Sequence, residues 1–269
     1  MSIQSNQPTP LPEVNVILQE LLKKAHNVLG SHFIGMYLDG SLTSADFDED
    51  SDIDFVVVTD EDISGNLFLT LQAAHEQIAA LDSRWAIQLE GSYISRQGLR
   101  RYDPDHALHP NIERGSSERL KMAYHNESWA THRYVLRERG ITIIGPAPQT
   151  LIDPISPNDL RRAMQPLLHN WLMPILNNPN APYYRGGQSY TVLSLCRILY
   201  TLHYGDVVSK RVAAHWAQET LDETWVALID RAWVGRHNPQ LRAEADDVKG
   251  MLDFIRFTLE RGQKFDSGK

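Results

Sequence analysis

The sequence predicts an α+β protein in two parts, a sheet-containing N-terminal domain over residues 1–155 and an all-α helical bundle over residues 156–269. Three observations carry this. Short apolar segments with strand alternation are confined to the first half, only helical periodicity follows from about Asn158, and Gly145-Pro146-Ala147-Pro148 and Asp153-Pro154 punctuate the chain between them. At 269 residues, with 42% hydrophobic and 22% charged residues, the chain has the composition of an ordinary globular protein and enough apolar material for a core.

Element by element, Leu11 to Leu29 places Val14, Ile17, Leu18, Leu21, Leu22, Ala25 and Leu29 on one helical stripe, which Gly30 ends. His32 to Leu38 reads as a strand running into Gly40-Ser41, and Asp46 to Ser51 as an acidic loop. Asp52 to Thr59 reads as a second strand, Asn66 to Leu81 as a helix, and Trp85 to Ile94 as an alternating strand with Glu90 in its middle. Gly98 to Ser117, rich in Arg, Pro, Asp and His, reads as an excursion, its Tyr102 to Arg114 stretch as a lid or ligand-specific loop. Glu127 to Arg139 resumes helical character, and Ile141 to Ile144 fits an edge strand. The second half reads as helices at Leu160 to Leu176, Gln188 to Tyr204, Lys210 to Glu219, Glu223 to Trp233 and Leu241 to Leu259.

Apolar runs such as Phe55 to Val58 are far shorter than a membrane span of about 20 residues. The first ten residues have neither a basic flank nor an apolar stretch, so a cytoplasmic protein without membrane contact is expected. Cys196, the single cysteine, fits a reducing compartment and reads as a core residue. A net charge of −8 argues against a nucleic-acid partner, for which Arg96, Arg100, Arg101 and Arg114 are the only local basic candidates. His106, His109, His125 and His132 form no zinc pattern and read as scattered polar residues.

The chemistry concentrates in Gly40-Ser41, ten residues, then Asp52-Ile53-Asp54. On a strand, side chains at i and i+2 share a face, so the two carboxylates converge, and their repulsion calls for a cation. Oxygen-only ligands favour magnesium, which takes its remaining oxygens from water and substrate phosphates. Gly40 leaves room for a phosphate to approach backbone, and the hydroxyls of Ser41 and Ser51 can donate to its oxygens.

On Gly40-Ser41 and Asp52-x-Asp54, the chain resembles the polymerase-beta-like nucleotidyltransferase superfamily. With Ser51, Glu90 and the helical half added, it looks more closely like the aminoglycoside nucleotidyltransferases that adenylylate streptomycin and spectinomycin. The resemblance implies a mixed-sheet nucleotidyltransferase domain followed by the bundle. It makes Glu90 a third metal-site carboxylate and the general base, with Asp52, Asp54 and Glu90 holding two magnesium ions. It also implies ATP as co-substrate, AMP as the transferred group and a small hydroxyl-bearing, cationic acceptor, an aminoglycoside being the nearest named one. Leu195-Cys196-Arg197 and Gly205 to Lys210 resemble the segment where the family places an arginine and a lysine on the nucleotide phosphates, assigning that role to Arg197 and Lys210. Two alternatives share the core motif: a protein-modifying nucleotidyltransferase of the toxin-neutralising kind, and a nucleotide sensor without catalysis. The presence of all three carboxylates weighs against the sensor.

Overall fold

A computed structural model describes residues 7–44, 46–114, 120–179, 181 and 183–266, the side chains of 264–266 excepted. The chain divides into two compact units, Met1–Pro154 and Ile155–Lys269.

The first unit is a six-stranded mixed sheet with α1 and α2 packed on one face. Its elements are α1 (Pro12–Leu29), β1 (Phe33–Leu38), β2 (Ile53–Thr59), α2 (Gly65–Ala79), β3 (Leu89–Ser95), α3 (Arg96–Arg100), β4 (Leu108–Ile112), β5 (Lys121–Tyr124), α4 (Ala130–Arg139), β6 (Ile141–Ile144) and α5 (Pro148–Leu151). The strand order is β5-β4-β3-β2-β1-β6, with β2 and β3 parallel and every other neighbouring pair antiparallel. The apolar stripe of α1 (Val14, Ile17, Leu18, Leu21) packs with Leu71 and Ile78 of α2 onto Met36 and Leu38 of β1, Ile53, Phe55 and Val57 of β2, and Leu89 and Tyr93 of β3. These strand positions alternate, so the residues between them point to the other face.

Two readings of the sequence change here. The alternation from Trp85 to Ile94 covers two elements, a 3-10 turn at Arg84–Ile87 and then β3. Ser83 starts the turn by accepting from the Trp85 amide at 3.3 Å, and the Trp85 indole is held by Glu13 at 3.2 Å. The excursion is in part sheet: β4 pairs with β3 through Gly91↔Ile112 and Ser92↔Asn111, and β5 pairs with β4. Pro110 and the polar residues of β4 hide it locally, because the partner strands supply what its own periodicity lacks. The part of the excursion at residues 115–117 lies outside the described residues.

The second unit contains α6 (Pro157–Pro166), α7 (Met173–Asn177), α8 (Arg185–Tyr204), α9 (Lys210–Thr220), α10 (Val226–Gly235) and α11 (Ala245–Asp266). The α8 helix is central: α6, α9, α10 and α11 all pack on it, and Val192, Leu195, Cys196 and Leu202 are fully enclosed. A π-helical turn, Leu167–Leu172, joins α6 to α7, interrupting the single helix read from Leu160 to Leu176. Pro166 and Pro174 bracket it, and each lacks the N–H that a continuous α-helix needs. Gly205 ends α8 in the left-handed conformation, φ 67°, and the Ser209 hydroxyl caps α9 by accepting from the Val212 amide. Burial pushes the Cys196 thiol up to about 12, which makes it a packing residue. Among the described residues no helix is long and apolar enough to cross a membrane.

Candidate active site

Leu38, Ile53, Phe55 and Leu89 belong to the helix-covered core, so Asp39, Asp54 and Glu90 project together from the opposite face of the sheet. Register aligns them. Asp54 is directly opposite Glu90 on the parallel β2–β3 pair, and the Asp39 amide donates to the Asp54 carbonyl at 3.1 Å, continuing the β1–β2 ladder by one residue. Asp52 lies just before β2. Carboxylate oxygens of Asp52, Asp54 and Glu90 come within 4.8 Å of one another.

The electrostatics say what this cluster lacks. The Glu90 carboxyl is pushed up to about 8, first by burial, next by the charge of Asp52 and the hydrogen bond with it; Arg114 pulls the other way. Two of the three acids thus resist being ionised together, a state that a bound cation relieves. Three hard oxygen donors match the ligand preference of magnesium, so the donor set fits that ion.

The Gly40-Ser41 turn lies against the trio. Gly40 has φ +61°, and a Cβ built on it would fall on the Asp54 carboxylate. Ser41 Oγ is buried with no partner among the described residues, leaving its hydrogen available to a ligand. Ser51 is occupied differently: its hydroxyl donates to Asp48 Oδ1 at 3.0 Å and accepts from the Asp48 amide at 3.0 Å, closing the acidic loop. Gly40→Ala adds a left-handed penalty of roughly 1–2 kcal/mol to a collision with a site carboxylate. Displacing that carboxylate should cut turnover by at least roughly 10²-fold; near-normal turnover from correctly folded Gly40→Ala would refute this placement.

Arg197 and Lys210 lie in the second unit. Arg197 is half-buried on α8, two turns after Tyr190, and Lys210 opens α9 with its ammonium 4.8 Å from the Tyr190 ring centroid. Spacing of seven residues puts Tyr190 and Arg197 on one stripe of α8, so the two cations share a face of the bundle. Of the excursion's charged residues, Glu113 pairs with Lys121 at 2.9 Å, while Asp103 caps a short 3-10 turn and His106 bonds Asp62 at 2.5 Å. Arg100 and Arg101 both pair with Asp153, at 3.0 and 2.6 Å, and Arg114 donates to the Asp50 carbonyl at 2.9 Å.

Three of the four histidines read as scattered, His109, His125 and His132, are gathered by the fold. Ring centroids of His109 and His125 are 4.9 Å apart, those of His125 and Trp129 4.5 Å, and those of Trp129 and His132 5.5 Å. His125 Nε2 lies 3.4 Å from Ser92 Oγ, on the β3 face that carries Glu90, and His132 Nδ1 lies 3.3 Å from Asp39 Oδ2. Nothing in their sequence spacing signals this, because the rings come from β4, the segment after β5, and α4.

A mixed sheet bearing three clustered carboxylates beside a Gly-Ser turn, followed by a helical bundle, is the arrangement that the resemblance to nucleotidyltransferases implies. Comparison with known proteins narrows it. The family described as "Aminoglycoside adenylyltransferase, C-terminal domain" matches residues 150–260. An aminoglycoside (3'') (9) adenylyltransferase of Escherichia coli is 31% identical over 123 residues, 45% of this chain and 44% of the relative, so that alignment spans less than half of the relative's length. A spectinomycin 9-adenylyltransferase of Staphylococcus aureus is 24% identical over 259 residues, 90% of this chain and 93% of that protein. Among solved structures, a spectinomycin adenyltransferase AAD(9) from Enterococcus faecialis with ATP and spectinomycin shares the fold, with a TM-score of 0.68, 18% identity, and coverage of 92% of this chain and 98% of that one. The chain is thus similar in sequence to aminoglycoside and spectinomycin adenylyltransferases, and its second half matches the C-terminal domain described for the former.

Proposed function

We propose that this protein transfers AMP from ATP to a hydroxyl of an aminoglycoside-type antibiotic, with magnesium as the required metal and pyrophosphate as the leaving group. The observation that carries this reading is the convergence of Asp52, Asp54 and Glu90 beside the Gly40-Ser41 turn. The adenylyltransferase names of its relatives support AMP and an antibiotic acceptor.

Asp52, Asp54 and Glu90 would hold magnesium, which when bound supplies charge neutralisation for the triphosphate. Gly40 lets a phosphate approach the backbone, and the Ser41 hydroxyl donates to a phosphate oxygen. The resemblance assigns phosphate contacts to Arg197 and Lys210 of the second unit, the arginine as a planar fork and the lysine as a point charge. Glu90 accepts the proton of the acceptor hydroxyl as its oxygen attacks the α-phosphorus; the bond to the pyrophosphate oxygen breaks in line, and no covalent enzyme intermediate forms. A reaction drawing on ATP suits the cytoplasm.

Pyrophosphate release, measured for each nucleoside triphosphate against a panel of spectinomycin, streptomycin and other hydroxyl-bearing acceptors, tests the proposal with Asp52→Asn as blank. Release that needs ATP, magnesium and one such antibiotic is the expected result, and silence with every antibiotic despite ATP binding would overturn the acceptor assignment. Glu90→Ala should keep ATP binding and lose roughly 10²- to 10⁴-fold in transfer rate, the usual contribution of general-base catalysis. An unchanged rate would remove Glu90 from that role.

A further inference from the structure

The row of acidic side chains has a fourth member that the proposed reaction does not use. Asp39 immediately precedes the Gly40-Ser41 turn and stands across from Asp54 on the same sheet face, where cross-strand Cβ atoms lie about 4.5–5.5 Å apart. It is only 4% exposed, and its Oδ1 has no partner among the described residues. Among the described residues the carboxylate therefore rests on a single side-chain contact, His132 Nδ1 at 3.3 Å.

His132 is as exposed as Asp39 is buried, with 53% of its side chain open to solvent. Its ring is nonetheless fixed from two directions. Asp39 holds Nδ1, and the Trp129 indole stacks on the ring with an interplanar angle of 19°. Trp129 is itself stacked on His125, which reaches Ser92, two residues beyond Glu90 on the same face of β3; the Asn111 amide donates to the Ser92 hydroxyl at 3.0 Å. The chain of contacts thus runs from the residue before the catalytic turn, across α4, back to the strand that carries the third carboxylate. A histidine whose Nδ1–H is donated to a carboxylate presents Nε2 outward as an acceptor in its neutral form. An exposed imidazole that merely decorated the surface would need none of this support.

We propose that His132, oriented by Asp39 and backed by Trp129, is an acceptor-binding residue of this site, its Nε2 accepting a hydrogen bond from an ammonium or hydroxyl of a polyhydroxylated cationic acceptor. Asp39 is the positioning residue, and Trp129, stacked on the His132 ring, holds it in plane. This inference rests on the acceptor class proposed above.

Steady-state kinetics on the full chain test it, with spectinomycin and streptomycin as acceptors and wild type, His132→Ala, His132→Gln and Asp39→Asn as enzymes. His132→Ala should raise the acceptor KM roughly tenfold, the loss of about one hydrogen bond, while the ATP KM stays within about twofold. Asp39→Asn should raise the acceptor KM in the same direction, and His132→Gln, which can still donate to Asp39 and present an acceptor atom, should restore much of the loss. Unchanged acceptor KM in folded His132→Ala would overturn the inference while leaving the reaction standing, as would a rise in ATP KM alone. If the wild type neither turns over nor binds either antibiotic by calorimetry, the acceptor class fails and this inference with it.

Discussion

Asp52→Asn should reduce AMP transfer by roughly 10³-fold or more while making the metal-free protein more stable in alkaline solution. In the proposed role of Asp52 as a magnesium ligand, the first effect follows from losing a ligand of a metal worth several kcal/mol of charge stabilisation, at 1.36 kcal/mol per decade of rate. The second follows from Glu90. Its carboxyl is raised to about 8 from an ordinary 4.5 by burial and by Asp52, so the folded state holds a proton that the unfolded chain has released. A group shifted this way leaves stability intact below its unfolded pKa and erodes it as pH rises towards the folded one. Removing the Asp52 charge lowers the Glu90 pKa, so the gain in melting temperature should grow with pH and be greatest above pH 8, measured in chelator. Magnesium should raise the melting temperature of the wild type and leave the variant unmoved. A variant that is active, or one whose chelator-treated stability at pH 9 equals the wild type's, would contradict the electrostatic account of the site.

Acid should unfold the first unit over an unusually mild range. His75 is held at about 4 by burial, stacked on Phe55 and bonded to the Tyr93 hydroxyl at 2.8 Å. His109 is likewise lowered to about 4 and His125 to about 3, by burial first and then by neighbouring positive charge, with an opposing pull from Asp62 on His109. Each is neutral in the fold and takes up a proton on unfolding once the pH drops below 6.5, so its stabilisation is complete above that pH and is lost as pH falls towards 4. Glu90 works the other way by one proton over the same interval, because it is protonated in the fold and ionised in the unfolded chain. Three protons against one leave a limiting slope of about 3 kcal/mol per pH unit near pH 5, a large fraction of the stability of a domain. Urea unfolding at pH 7 and pH 5 should show this loss, and His125→Asn should flatten the slope by about one proton. Equal midpoints at both pH values would mean that these rings are solvated.

How much of this was legible beforehand differs from residue to residue. Asp52, Asp54, Gly40 and Ser41 could be read directly, because period-two alternation fixes which side chains share a face and a glycine before a strand pair marks a close approach. The helices of the second unit were equally legible from their periodicity, apart from the π-helical turn between Pro166 and Pro174. Asp39 stood beside the motif but carried no signal, since a lone aspartate at a strand end reads as a turn residue until His132 is brought to it.

The sequence by itself determined the two-part architecture, the carboxylate pair and the Gly40-Ser41 turn, all of which depend on neighbours within a dozen residues. Only the tertiary structure decided that β4 and β5 complete the sheet, that Glu90 is level with Asp54, and that His109, His125, Trp129 and His132 form one ring cluster. The physical reason is common to all three. Register across a parallel strand pair, and contacts between residues on different elements, are set by packing energy summed over the whole sheet, and local propensity carries no record of that sum.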